Sequence, residues 1–246
     1  MIIIPAVDIL DNEAVRLYKG DYSQKTVYSK EPWELVKGFE KVGASLIHVV
    51  DLNGARNGSR INETTIKKIR SFAPNVKIQL GGGIRDMERL KFYEEIGIDR
   101  FIIGTAAVLD PDFIQEVLQF VRPDRLLVSV DAMDGIVKIS GWEEKTKLHY
   151  IEFLKQLEKL GVEQIVFTDI SVDGTLQGPN LESYREILNQ FSFRVFASGG
   201  ISSIKDILAL TTLKAKRALS GMITGKAIYE GKIDLKEAIE KTQNVN

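Results

Sequence analysis

Short apolar runs punctuate the chain at Ile2–Val7, Leu46–Val50, Val76–Leu80, Arg100–Ile103, Leu126–Val130, Gln164–Phe167, Phe193–Ala197 and Ala218–Ile223. Their β-branched content and turn-residue borders predict strands buried on both faces. Between them apolar positions recur at helical spacing, as in Trp33–Val42, Ile66–Phe72, Met87–Ile96, Asp112–Phe120, Tyr150–Leu160 and Leu181–Gln190. Strand–helix alternation from end to end predicts a parallel sheet. Eight such units in 246 residues predict an α/β fold, a closed (βα)8 TIM barrel as one domain over residues 1–246. A doubly wound open sheet is the alternative.

The units fall into two matching sets of four. PAVDIL of the first strand pairs with VSVDAM of the fifth, setting Asp8 against Asp131. VVDLNGARNG of the second pairs with FTDISVDGTLQG of the sixth, setting Asp51 against Asp169. LGGGIRD after the third answers ASGGISS after the seventh, and IGTAAV answers TGKAIY. The barrel is therefore expected as two (βα)4 halves, residues 1–122 and 123–246.

Composition removes several function classes. Without cysteine there is no disulfide, thiolate nucleophile or Cys-based metal site. His48 and His149 are too few and too far apart for a zinc site; His48 is expected in the core or barrel lining and His149 at a helix start. A net charge of −1 excludes nucleic-acid or membrane-surface binding driven by bulk charge. No run approaches membrane-spanning length, and MIIIPAVDIL lacks a basic segment before its apolar run, so it is expected to be a strand. Those features make the cytoplasm the expectation; a monomer is also expected, with no residue pattern that reads the oligomeric state.

The candidate chemistry lies where the strands end. Gly82-Gly83 and Gly199-Gly200, then Gly104-Thr105 and Gly225-Lys226, place small residues at strand-to-helix junctions. Outward backbone amides and a helix N-terminus favour an anion there. Two such sites, half a barrel apart, imply an elongated small molecule with a phosphate at each end. Arg16, Arg85, Gly174, Thr175 and Ser198 complete the binding candidates. Strands one and five lie opposite each other in an eight-stranded ring, so Asp8 and Asp131 are expected to face each other across the mouth as base and acid. The competing possibilities are loop capping, or pairing with a cation such as Arg16 or Lys138. A metal held by the carboxylates has no dedicated ligand cluster to support it, and neither metal nor cofactor is expected. For Asp169 and Asp173, capping of a helix or turn competes with a role at the mouth.

Taken together, PAVDIL with AVRLYKG, HVVDLNGA, LGGGIRD, IGTAAV, SVDAMDG before Gly141-Trp142, TDISVDGTLQGPN, ASGGISS and TGKAIYEG resemble the isomerase branch of the HisA/HisF family of phosphate-binding barrels. The resemblance covers essentially the whole chain. It implies a two-fold barrel that converts the bis-phosphorylated aminoaldose ProFAR into its aminoketose by an Amadori rearrangement, without cofactor or metal. It puts the base on Asp8 and the acid on Asp131, with support from Thr168 and Asp169 on the sixth strand. Whether Asp131 or Asp169 donates the proton stays open. Ser220-Gly221-Met222-Ile223-Thr224 is more polar than the family's aliphatic run there. The cyclase branch, which works with a glutaminase partner, carries Lys where Arg16 stands. Two further alternatives are an isomerase that also takes phosphoribosylanthranilate and a non-catalytic phosphosugar-binding barrel.

Overall fold

Eight parallel strands hydrogen-bond into a closed ring in the computed structural model, which describes residues 1–243. They are β1 (Ile2–Leu10), β2 (Leu46–Asp51), β3 (Lys77–Gly81), β4 (Arg100–Ile103), β5 (Leu126–Met133), β6 (Gln164–Asp169), β7 (Arg194–Ser198) and β8 (Gly221–Thr224). Each pairs with its sequence neighbours, β6 with β5 at Ile165↔Val128 for example, and β8 returns to β1 at Ile2↔Gly221. That closure makes the molecule a (βα)8 barrel and removes the open-sheet alternative.

Side chains alternate across each strand, and this decides what reaches the barrel axis. On β1, Ile4 and Ala6 join Leu46, Ile102, Leu127, Val166, Phe196 and Ile223 in an apolar plug inside the ring. Ile3, Val7 and Ile9 belong to the other cluster, packed beneath the helices. Asp8 therefore follows Ile4 and Ala6 inward. By the same count Asp131 follows Leu127 inward, and Thr168 follows Val166. The small Gly221 that makes the eighth run look weak is required by the plug: a Cβ there would stand 2.9 Å from Ile2 and 3.0 Å from Phe196.

Helices cover the outside with one apolar face each, such as Val36 and Phe39 of Pro32–Val42 or Phe153, Leu154 and Leu157 of Tyr150–Lys159. Asp86 and Ser203 cap the helices after β3 and β7 in the same way, accepting from Arg89 N and Asp206 N. His149 caps the helix Tyr150–Lys159, the helix start expected of it.

Two antiparallel hairpins interrupt the simple alternation. Glu13–Tyr18 and Asp21–Ser29 fold back on β1, and Ile136–Ile139 and Glu144–His149 fold back on β5. Asp11-Asn12 and Asp134-Gly135 turn the chain, with φ of 54° and 66° and of 51° and 80°. Consecutive positive φ values match the twist of the flanking strands. The hairpins rise over the barrel mouth and meet there, the Trp142 ring lying against Gly20, while Glu143 of the second pairs with Arg56 of the helix Leu52–Asn57 at 2.8 Å.

Asp51 ends β2 with odd parity and points outward. It caps the helix Leu52–Asn57 by accepting from Gly54 N at 2.9 Å, takes Asn62 Nδ2 at 2.7 Å, and pairs with Arg89 at 2.9 Å. Both charges are buried, Arg89 at 2% exposure and Asp51 at none. Asp51→Asn is expected to cost about 3 kcal/mol of stability, because it strands a buried guanidinium. A urea midpoint equal to the parent's would contradict this.

Candidate active site

The inward positions at the strand ends converge with hairpin residues in one cavity at the mouth. Asp8, Arg16, Asp131, Trp142, Thr168 and Asp173 line it together. Arg16 comes from the first hairpin, where the register sets Asp8 beside Val15. Its Nη1 donates to Asp8 Oδ2 at 2.6 Å and its Nη2 to Ala6 O at 2.9 Å. Burial raises the Asp8 carboxyl above its ordinary value, and Arg16 pulls it back. Asp8 is thus the carboxylate with a cation held against it.

Among the described residues Asp131 has no such cation. Burial raises its carboxyl, opposed only by hydrogen bonding from Thr168, Trp142 and Ser129. Thr168 reaches it because Thr168 and Asp131 are register partners on β6 and β5. One carboxylate beside a cation and another beside neutral donors is the division of environments that separates a base from an acid.

A third carboxylate completes the group. Asp173 sits half-buried on the loop after β6, its carboxyl pushed up to about 6 by desolvation, with Arg16 lowering it and Asp8 and Asp131 raising it. In sequence, the Asp173-Gly174-Thr175 stretch reads as turn chemistry. A loop residue has no strand parity, so periodicity does not show which way it points. His48 also lines the cavity, its Nδ1 3.0 Å from Gln79 Nε2. Burial, then Arg16, lowers it to about 3, so it stays neutral near pH 7.

The glycine loops flank this group. Gly82, Gly83, Arg85, Gly104 and Thr105 line one side, and Ser198, Gly199, Gly200, Gly225 and Lys226 the other. Gly104 and Gly225 begin the helices Thr105–Leu109 and Lys226–Tyr229, and neither has a side-chain cap. Ala107 N and Ile228 N donate back to Gly104 O and Gly225 O, which leaves the amides of Thr105 and Ala106, and of Lys226 and Ala227, to other acceptors and suits an anion. Arg16 adds a buried Nε with no partner among the described residues. Lys226 Nζ donates to Gly174 O at 2.9 Å, so Gly174 joins the second site.

The Gly-Gly pairs have a further, internal reason. A Cβ at Gly82 (φ 101°) would stand 2.1 Å from Asp51 O, and one at Gly200 (φ 78°) 2.4 Å from Gly178 O. Each pair lies under the loop of the preceding unit. A bulky replacement there disrupts the loop packing itself, so it cannot serve as a clean probe of ligand affinity.

Two expected site residues stand elsewhere. Asp169 follows Ile165 and Phe167 outward, and its carboxylate turns into its own loop. Oδ2 accepts from Asn180 Nδ2 at 2.8 Å, and Oδ1 accepts from the amide and hydroxyl of Ser171. Thr175 spends its hydroxyl on Val172 O at 2.7 Å. Neither lines the cavity. Lys138, Ser129 and Trp142 do line it; the sequence suggests Lys138 only as a counter-ion and Trp142 only as part of a family motif.

The family model for "Histidine biosynthesis protein" matches residues 2–234. The chain belongs to that family. Similar relatives include a protein of Lactococcus lactis subsp. lactis (strain IL1403), 49% identical over 96% of this chain and 98% of its own length. One from Leptospira biflexa serovar Patoc (strain Patoc 1 / Ames) is 47% identical over 97% and 96%, and one from Campylobacter concisus (strain 13826) 44% identical over 98% and 99%. All three are named 1-(5-phosphoribosyl)-5-((5-phosphoribosylamino)methylideneamino)imidazole-4-carboxamide isomerase. Histidine-biosynthesis barrels thus account for the whole of this cavity's scaffold. Among the described residues no three of His, Cys, Asp and Glu group as a metal site, and no helix is long and apolar enough to cross a membrane.

Proposed function

We infer that this chain is the aldose–ketose isomerase of histidine biosynthesis that its relatives are named for, acting on ProFAR. The observation that carries the reading is the placement of three half-buried carboxylates between two uncapped, glycine-led helix starts in one mouth. A ligand with a phosphate at each end spans that mouth, with its reacting sugar at the centre.

The chemistry follows from the environments. An acid first protonates the ring oxygen, the C1–O bond breaks, and C1 and the nitrogen form a Schiff base. A base then takes the proton from C2, and the resulting enolamine becomes the aminoketose as C1 gains a proton and the C2 hydroxyl gives one up. Asp131 serves as the acid and Asp8, beside Arg16, as the base. Thr168 orients Asp131. Asp173 holds the charge balance of the group, since Arg16, Asp8 and Asp131 all act on it. The two anion sites hold the substrate fixed while protons move, which converts binding into orientation.

The ligand's own partner is thus a small molecule, and the reading puts the enzyme in the cytoplasm as a monomer, since one chain supplies every residue of the set. Purified protein should convert ProFAR to the aminoketose without ammonia, a partner subunit or added metal. No turnover under those conditions would reject the reading. Turnover only with ammonia or a glutaminase would move the chain to the cyclase branch, and parallel assay of phosphoribosylanthranilate reads substrate breadth.

A further inference from the structure

We propose that Asp169 and Asn180 form a clasp that positions Asp173 and Thr168 for the isomerisation, with the Asp169 carboxylate itself moving no proton. The proposal rests on the isomerase reading and assigns a role within its site. Asp169 ends β6, directly after Thr168, and Asn180 precedes the helix Leu181–Gln190. The loop between them delivers Asp173 to the cavity and Gly174 O to Lys226. Its two ends are joined by one bond, Asn180 Nδ2 to Asp169 Oδ2 at 2.8 Å. Asp169 Oδ1 takes Ser171 N at 3.0 Å, and Asn180 Oδ1 takes Ser183 N at 3.4 Å. Every polar atom of the two side chains is thus committed to the loop or to the helix it enters.

The same device occurs in the first half, where Asn62 Nδ2 donates to Asp51 Oδ1 at 2.7 Å. In both, donor and acceptor are separated by 11 residues. The two differ in backing. Asp51 has the buried Arg89 against it, whereas no cation pairs with Asp169 among the described residues. The first loop is locked by an ion pair. The second closes its two ends by the Asp–Asn bond with no ion pair behind it, and it is the one that carries a cavity carboxylate. An error of about 1 Å in a catalytic group can cost on the order of 100-fold in rate. The clasp is therefore where loop geometry passes into catalysis.

The bonding pattern provides its own test, because it survives exchange of the two residues. With Asp169→Asn, the new amide still accepts from Ser171 N, but its donor faces the Asn180 donor. With Asn180→Asp, two carboxylates face each other. In the double variant Asn at 169 donates to Asp at 180, which still caps Ser183 N. The measurements are steady-state ProFAR isomerisation and amide hydrogen exchange across residues 171–178 for the parent, both single variants and the double. Each single variant should lose about 10- to 100-fold in kcat together with loop protection, and the double should recover both to within about fivefold of the parent. A double variant with restored protection but the kcat of Asp169→Asn would show that the carboxylate at 169 acts chemically, overturning the proposal. Single variants with parental protection would overturn it as well, whatever the substrate. A parent that does not turn over ProFAR rejects the isomerase reading instead, and the exchange data still decide whether the clasp holds the loop.

Discussion

Asp8→Asn should lower kcat by about 10²- to 10⁴-fold while KM changes far less, since proton transfer by a positioned base is worth that much. Asn keeps the size of the side chain and can still accept from Arg16 Nη1, so the hairpin that carries Arg16 stays in register. What is lost is the negative charge that takes the proton. The anion sites at Gly104-Thr105 and Gly225-Lys226 are untouched, so substrate binding should persist. Removal of the charge also leaves Arg16 without its ion-pair partner, and its Nε already lacks a protein partner among the described residues. Free guanidinium capacity beside an anionic ligand favours binding, so KM should stay level or fall. Steady-state kinetics with circular dichroism on the same sample separates the outcomes. A near-parental kcat would remove Asp8 from the base role, and a large rise in KM at constant kcat would make it a binding residue.

Much of this site is legible from period and repeat. Eight buried runs imply the ring, and the ring sets Asp8 and Asp131 opposite each other at the mouth. The paired glycine motifs mark both flanks of the cavity. Asp169 is misplaced when motif neighbours are counted without strand parity. Val166 and Thr168 share one face of β6 while Ile165, Phe167 and Asp169 share the other, and a period of two is enough to separate them. The same count sends Asp51 outward on β2.

The hairpins have a signal as well. Asp11-Asn12 and Asp134-Gly135 stand between runs of alternating polarity, a strong short-range mark of a tight turn. Register across such a turn sets Arg16 beside Asp8, eight residues away in sequence. Asp173 offers no such handle. Its position depends on a loop whose shape comes from the Asp169–Asn180 bond and from Gly178 N reaching Gly200 O at 3.1 Å. The first spans eleven residues of one loop and the second joins two units, and neither local period nor turn propensity encodes such contacts.

Asp131→Asn should likewise lose about 10²- to 10⁴-fold in kcat, and it should gain stability as it does so. The two effects have one cause. Burial raises the Asp131 carboxyl above its ordinary 3.8, and among the described residues no cation offsets that burial. A carboxyl raised on folding binds its proton more tightly in the native state than in the unfolded chain. Stability is then highest below pH 3.8 and falls as pH rises from there towards the native value. Asn carries no such proton, so the variant should match the parent at low pH and exceed it near neutrality. Asp173→Asn should show the same pattern over a bounded window, between 3.8 and about 6. The kinetic signs run the other way. Parental kcat should fall on the acid side as Asp8 takes up a proton, and on the alkaline side as Asp131 loses the one it donates. Asp131→Asn removes the alkaline limb along with most of the rate, whereas Asp173→Asn leaves that limb in place. Urea denaturation and kcat measured across the same pH series test both halves. An Asp131→Asn protein no more stable than the parent at pH 7, or one that kept the alkaline limb, would take the acid role away from Asp131 and leave Asp173 as the group to examine.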